Sequence, residues 1–214
     1  AGIEKLIITG AVSSYPKLAP IPFNEKNIWD GYPDETNAPY GIAKRTLLVQ
    51  SQAYRQQFDF NSIILFLTNL YGPKDHFDPT SATVIPALIH KISSAKKQND
   101  KSISIWGDGT PTRDFLYVQD AVRGLMLAAE KYDEVSPINL GSDQEITIKE
   151  LANLISDIID FKGKIKWDTS KPNGQPRRKV SNKLAEEKLG FKAEIALEAG
   201  LRKTIEWYQK NISN

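Results

Sequence analysis

Leu6-Ile7-Ile8-Thr9-Gly10 and Ser62-Ile63-Ile64-Leu65-Phe66-Leu67 decide the fold. Both runs are short, rich in β-branched residues and apolar without alternation, as expected of strands buried on both faces of a parallel sheet. Between them, past a proline-rich loop over 16–39, a helical pattern occupies 40–58. Strand, helix, strand in that order predicts a βαβ unit. Working outward, strands are expected at 102–106, 115–118 and 137–140, with helices over 81–94, 120–131 and 196–210. Thr147 followed by Glu150 reads as a capping box opening another helix through Leu151, Leu154, Ile155 and Ile158. No internal repeat interrupts the alternation, so the fold class is α/β.

Composition narrows the functions available. With 214 residues and 40% hydrophobic content, the chain can bury a sizeable core. A formal charge of +2, with 28 basic residues spread along the chain, gives no stripe for nucleic acid or a membrane surface, so any anion site must be local. The absence of cysteine excludes disulfides, thiolate zinc and a thiol nucleophile, and two histidines make no metal site expected. No apolar run approaches the roughly 20 residues that span a bilayer, and no basic leader precedes an apolar stretch. A cytoplasmic location is expected.

Parallel sheets bind ligands at the carboxyl ends of their strands, which points to Gly10-Ala11-Val12-Ser13 and Leu67-Thr68-Asn69-Leu70-Tyr71. The 13 glycines contain no G-x-G-x-x-G. Tyr40 and Lys44 share one face of the predicted helix, and an ammonium beside a phenol stabilises the phenolate, an arrangement suited to proton transfer at a carbonyl or alcohol. In a chain with eight tyrosines such a pair also arises by chance, so context decides.

The context is a series of ordered motifs. Tyr15-Pro16-Lys17 precedes Tyr40, and Asn69-Leu70-Tyr71-Gly72-Pro73 follows the second strand, with Val84-Ile85-Pro86-Ala87-Leu88-Ile89 after it. Trp106-Gly107-Asp108-Gly109-Thr110-Pro111-Thr112-Arg113-Asp114-Phe115 comes next, and then Lys171-Pro172-Asn173-Gly174-Gln175-Pro176-Arg177-Arg178. Together these resemble the extended short-chain dehydrogenase/reductase family, in its GDP-L-fucose synthase branch. The resemblance implies an incomplete Rossmann-like doubly wound parallel sheet with a smaller α/β C-terminal substrate-binding lobe. Residues 1–72, rejoined by 112–140, would form the dinucleotide-binding part, and 73–111 with 141–214 the nucleotide-sugar lobe.

It also implies NADP, with NAD possible, and a GDP-linked 4-keto-6-deoxy sugar that is epimerised at C3 and C5 and reduced at C4. Tyr40, Lys44 and Ser13 would be catalytic. Gly10, Ala11, Tyr40, Lys44, Leu67, Thr68, Asn69 and Leu70 would line the cofactor. Asn69, Thr83, Lys91, Trp106, Arg113, Asp168 and Lys171 would hold the sugar nucleotide, and helices 40–58 and 81–94 would pair in a homodimer. For Arg177-Arg178-Lys179 a solvated loop and a phosphate contact both remain open.

Departures from the family's pattern fall on its chemistry. Ala11 stands where the family places a hydroxyl that bonds the C4 oxygen, a donor whose loss typically costs about 10²–10³ in rate. Ser13 stands where this branch carries an epimerising cysteine, and Thr83 where it carries the partner histidine. Neither side chain exchanges protons near neutrality, so epimerisation is expected to be weak while C4 reduction survives. His76 and His90 are the remaining imidazoles, one in a loop and one in a helix. The family's glycine-rich diphosphate loop is not in the chain, which leaves three readings: an epimerase/reductase, a dedicated C4 reductase, or an inactive paralogue that binds nucleotide sugar or a partner.

Overall fold

The computed structural model describes residues 2–212. In chain order its elements are β1 (Leu6–Ala11), α1 (Ala38–Phe58), β2 (Ser62–Leu67), β3 (Asn69–Tyr71), α2 (Val84–Lys97), β4 (Ser102–Trp106), β5 (Thr112–Tyr117) and α3 (Val118–Lys131). There follow β6 (Ile138–Leu140), β7 (Glu145–Thr147), α4 (Ile148–Ile159), β8 (Lys164–Asp168), β9 (Arg177–Arg178), α5 (Lys183–Leu189) and α6 (Leu197–Asn211). The chain forms two compact units: one takes it up to Leu70, with Asp114–Glu145 and Arg177–Glu194, and the other takes Tyr71–Arg113, Ile146–Pro176 and the chain from Ile195 onward.

The first unit is built on a parallel sheet in the order β1-β2-β6. β1 pairs with β2 so that Gly10 meets Phe66 and Ala11 meets Leu67, and Leu67 in turn meets Leu140 of β6. Every residue of β2 is buried, and its two faces feed separate cores. Ile63, Leu65 and Leu67 pack with Ala121 and Ala128 of α3 and with Ala185 and Leu189 of α5. Ile64 and Phe66 pack on the other side with Tyr15, Phe23 and Leu48 of α1. Each such side chain contributes about 1.5–3 kcal/mol on burial, so helices are needed on both faces, as in a doubly wound sheet. Gly10 is glycine because a Cβ there would lie 2.4 Å from the Phe66 ring.

The second unit carries the parallel pair β4 and β8, in which Trp106 meets Asp168, and packs α2 against β4 and α4, and α4 against α6. The expected capping box is present at the start of α4: Glu150 N donates to Thr147 Oγ1 at 3.1 Å and Thr147 N donates to Glu150 Oε2 at 3.0 Å.

Three features differ from the sequence reading. Helix α2 begins at Val84 rather than 81, because Ser81 N and Ala82 N both bond the Asp78 carbonyl in a turn that uses up those residues. Strand β8 was not expected, since Lys164-Ile165-Lys166-Trp167-Asp168 offers only two apolar residues and a half-covered strand needs no more. Residues 141–145 and 177–194, expected in the lobe, fold with the first unit, while 71–72 and 112–113, expected in the first part, fold with the second. Phe23 N donates to Lys179 O and Ser181 N to Phe23 O, both at 2.8 Å, while the Asn182 amide pairs with both backbone groups of Gly141 at 2.7 Å.

One buried polar network locks the first unit. Tyr15 donates its hydroxyl to Asn139 Oδ1 at 2.7 Å, Asn139 Nδ2 donates to Phe23 O at 3.1 Å, and Asn139 N donates to Glu25 Oε1 at 2.9 Å. Burial pushes the Tyr15 phenol and the Glu25 carboxyl upward in pKa, with the bond from Asn139 N opposing the shift at Glu25. Asn139→Leu keeps the branching of the side chain but strands the Tyr15 hydroxyl, while the Phe23 carbonyl retains its bond from Ser181 N. At about 1–3 kcal/mol for the orphaned hydroxyl, urea unfolding should show a loss of that size, partly recovered by adding Tyr15→Phe. A loss under about 0.5 kcal/mol would rule the network out as a structural constraint.

Candidate active site

In the first unit the carboxyl ends of β1 and β2 lie side by side, which brings Gly10 and Ala11 next to Leu67 and the following Thr68. Ala11 leads into a short 3-10 turn, Val12–Ser14, that carries the half-buried Ser13. Helix α1 packs its first turns on this segment. Gly41 makes the approach possible, since a Cβ there would sit 2.5 Å from the Ser13 carbonyl oxygen. Lys44 donates from Nζ to Thr9 O at 2.8 Å, and its ammonium lies 5.5 Å from the Tyr40 ring centre. Tyr40 is exposed, with its ring open to a ligand. Thr68 is buried and donates its hydroxyl to Asp114 O at 3.0 Å; Asn69 donates from Nδ2 to the same oxygen at 2.9 Å, and Leu70 is exposed.

The second unit gathers another set at the carboxyl ends of β4 and β8. Trp106 is 66% exposed, and the Lys171 ammonium lies 5.7 Å from its ring centre. Asp168 Oδ1 accepts from Ser170 N at 3.1 Å, and the Asp168 carbonyl accepts from Gly107 N at 2.9 Å and Lys171 N at 3.2 Å. Asn173, inside the recognised motif but not singled out by it, accepts from Asp108 N at 2.8 Å, and only glycine fits at 107, where a Cβ would lie 2.2 Å from Asn173 Oδ1. Arg113 reaches the same loop: its Nη2 is 3.8 Å from where a Gly174 Cβ would be. Lys91 donates to Ser104 O at 2.6 Å, two residues before Trp106. An aromatic face beside cationic donors is suited to a base and its phosphates.

Other residues are placed elsewhere in their units. Thr83 is exposed just before α2, with no side-chain cap. His90 shares a hydrogen bond with the Tyr208 hydroxyl at 2.9 Å, and His76 with Ser81 Oγ at 2.7 Å. Arg177 binds both carboxylate oxygens of Glu145, at 2.6 and 2.8 Å, and Lys179 donates to Asp143 O at 3.0 Å. No cluster of histidine and acidic residues able to hold a metal ion occurs among the described residues, and no helix there is long and apolar enough to cross a membrane.

Asp114 was not singled out from the sequence. It is fully buried, and its Oδ1 accepts from Ser142 N at 2.9 Å and Ser142 Oγ at 2.6 Å. Its Oδ2 has no hydrogen-bond partner among the described residues. Burial, opposed by the Ser142 hydrogen bonds and adjusted by Asp143 and Lys179, raises its carboxyl to about 6. The signal lay in the motif itself, an acidic residue directly before the apolar Phe115-Leu116-Tyr117 end of β5.

A parallel-sheet α/β unit with a tyrosine and a lysine at its strand ends is the architecture of short-chain dehydrogenase/reductase proteins. Residues 1–141 match the NAD dependent epimerase/dehydratase family, and the chain belongs to that family. It is 41% identical over 212 residues to Putative GDP-L-fucose synthase 2 of Arabidopsis thaliana, covering 99% of this chain and 64% of that relative's length. Among solved structures, it superposes on a GDP-6-OMe-4-keto-L-xylo-heptose reductase from C. jejuni with a TM-score of 0.91 at 27% identity, over 97% of this chain and 71% of that one. A GDP-L-fucose synthetase from Naegleria fowleri bound to NADP superposes with a TM-score of 0.90 at 30% identity, over 100% of this chain and 68% of the other.

The Asp114 carboxyl gives a stability signature of defined sign. Because its folded value of about 6 lies above its ordinary 3.8, the folded state holds the extra proton, and stability falls as pH rises from about 4 to about 6. At 1.36 kcal/mol per pH unit this amounts to about 3 kcal/mol. The stability of Asp114→Asn minus that of wild type should therefore climb by about that amount between pH 4 and 7 in denaturant titrations. A difference that stays flat with pH would show that Asp114 does not titrate in this way.

Proposed function

We propose that this chain carries the catalytic tyrosine and the sugar-nucleotide site of a cytoplasmic, NADP-dependent reductase that converts a GDP-4-keto-6-deoxy sugar to its C4 alcohol, with little or no epimerisation at C3 and C5. The observation that carries the reading is the Tyr40 and Lys44 pair, held at the strand ends by the 2.8 Å bond from Lys44 to Thr9 O. Two relatives named for GDP-sugar chemistry support the substrate class, and the NADP-bound synthetase supports the cofactor.

The residues present suit the nicotinamide half of such a cofactor. Lys44 directs one ammonium donor to Thr9 and has two more for ribose hydroxyls. Asn69 commits its amide nitrogen to Asp114 O and keeps its oxygen for a ligand. When bound, the reduced cofactor supplies a hydride to C4. Tyr40 donates its phenolic proton to the C4 oxygen, and the Lys44 ammonium stabilises the phenolate left behind. Trp106 stacks on the base, Arg113 and Lys171 bind the phosphates, and Lys91 and Asp168 complete the pocket.

Epimerisation needs a group that removes a carbon-bound proton and one that returns it. Ser13 and the exposed Thr83 do neither near neutral pH, and this favours a dedicated C4 reductase over a bifunctional enzyme. Self-association belongs to the same proposal: α1 leaves Ile42 and Val49 exposed two turns apart on one face, which a second copy would cover, with α2 as the other contributing helix.

The test is incubation of the full-length protein with NADPH and the GDP-4-keto-6-deoxy sugar in heavy water. Substrate-dependent NADPH oxidation, reduced about 10²–10⁴-fold by Tyr40→Phe, is expected without deuterium at C3 or C5. Rapid deuterium entry at those carbons overturns the loss of epimerase activity. Sugar-nucleotide binding in calorimetry with no reduction would instead identify an inactive paralogue.

A further inference from the structure

We propose that Arg45 is a positioning residue for this site, fixing the Ser13 turn in register with the helix that bears Tyr40 and Lys44; the inference rests on the function proposed above. Arg45 is 7% exposed. Its Nε donates to Ser14 O at 2.6 Å and its Nη1 to Gly31 O at 2.8 Å, while the guanidinium carbon lies 5.7 Å from the centre of the Trp29 ring. It forms no ion pair among the described residues, and Nη2 has no hydrogen-bond partner there.

A buried cation without a counter-ion is costly, and a neutral side chain of similar length would avoid that cost. The guanidinium does what a neutral chain does not. Its planar fork engages two carbonyls from separate segments at once. One carbonyl belongs to the residue after Ser13, and the other to the loop that leads into α1. Three consecutive attachments result: Lys44 to Thr9 O, Gly41 against Ser13 O, and Arg45 to Ser14 O. The first two tolerate sliding, since one is a flexible ammonium and the other a contact without a bond. Arg45 removes that freedom, and a displacement of about 1 Å at a reacting group can cost about 10²-fold in rate.

The experiment compares wild type, Arg45→Lys and Arg45→Met in the full chain by amide hydrogen exchange and by reduction kinetics. In Arg45→Met, exchange across Val12–Ser14 and at Gly31 should accelerate at least about tenfold while the β2 amides hold, and kcat should fall about tenfold with KM little changed. Arg45→Lys, which reaches one carbonyl at a time, should lie between; it also serves if Arg45→Met does not fold. Acceleration shared equally by β2 would mean that Arg45 only supports global stability, and an unchanged turn or an unchanged kcat would likewise overturn the proposal. A wild-type chain that fails to reduce the 4-keto sugar defeats the function proposed above, while the exchange pattern, which needs no substrate, still decides whether Arg45 holds the turn.

Discussion

Burial of β2 on both of its faces is the constraint on which the first unit depends. With Ile63, Leu65 and Leu67 directed to one core and Ile64 and Phe66 to the other, the strand cannot shift register by one residue without exchanging its two sets of side chains. Its parallel partner β1 is then fixed, and so is the level at which both strands end. That shared end places Ala11 beside Leu67 and starts the Ser13 turn where α1 can reach it. The chemistry is therefore set by hydrophobic packing some distance below it.

Helix α1 reads this sheet end through its polar residues. Its apolar attachment is modest, through residues such as the fully buried Leu48. Lys44, Arg45 and the notch at Gly41 all address backbone carbonyls of the segment from Thr9 to Ser14. The Ser14 carbonyl lies beyond the end of β1, where no ladder partner is available, while the Thr9 carbonyl lies within the strand. Lys44 and Arg45 bond these two carbonyls, so the same contacts tie the helix that bears Tyr40 to the end of the sheet.

Much of this was legible in the sequence. The two unbroken apolar runs identified β1 and β2; β2 is buried on both faces as expected, whereas β1, at the end of the three-stranded order, is only partly covered. The capping box at Thr147 was equally clear, since its signal is local. Short strands such as β8 were not, because they are recognised only by the partner they pair with across the chain. The return of 177–194 to the first unit was hidden for the same reason: it depends on Phe23 and Gly141, both far away in sequence. Motif resemblance singled out Tyr40, Lys44, Trp106, Arg113 and Lys171 as candidates. It passed over Arg45 and Asp114, whose significance lies in burial without a full set of partners.

Those two residues bear on how the site tolerates its departures from the family's pattern. On the function proposed above, Ala11 lacks the hydroxyl that would donate to the reacting oxygen, and its methyl group at a half-buried position asks for no hydrogen-bond partner. Ser13 and Thr83 likewise replace proton-exchanging groups with small neutral ones on half-buried and exposed backbone. Substitution at such positions is cheap because no packing depends on them. Arg45 and Asp114 sit behind the reactive face, where each is enclosed by backbone and a change would be felt by the fold. On that proposed reading, exchange of proton-transfer groups at Ser13 and Thr83 would narrow a two-step chemistry to one step, while the buried frame behind Tyr40 and Lys44 stays as it is.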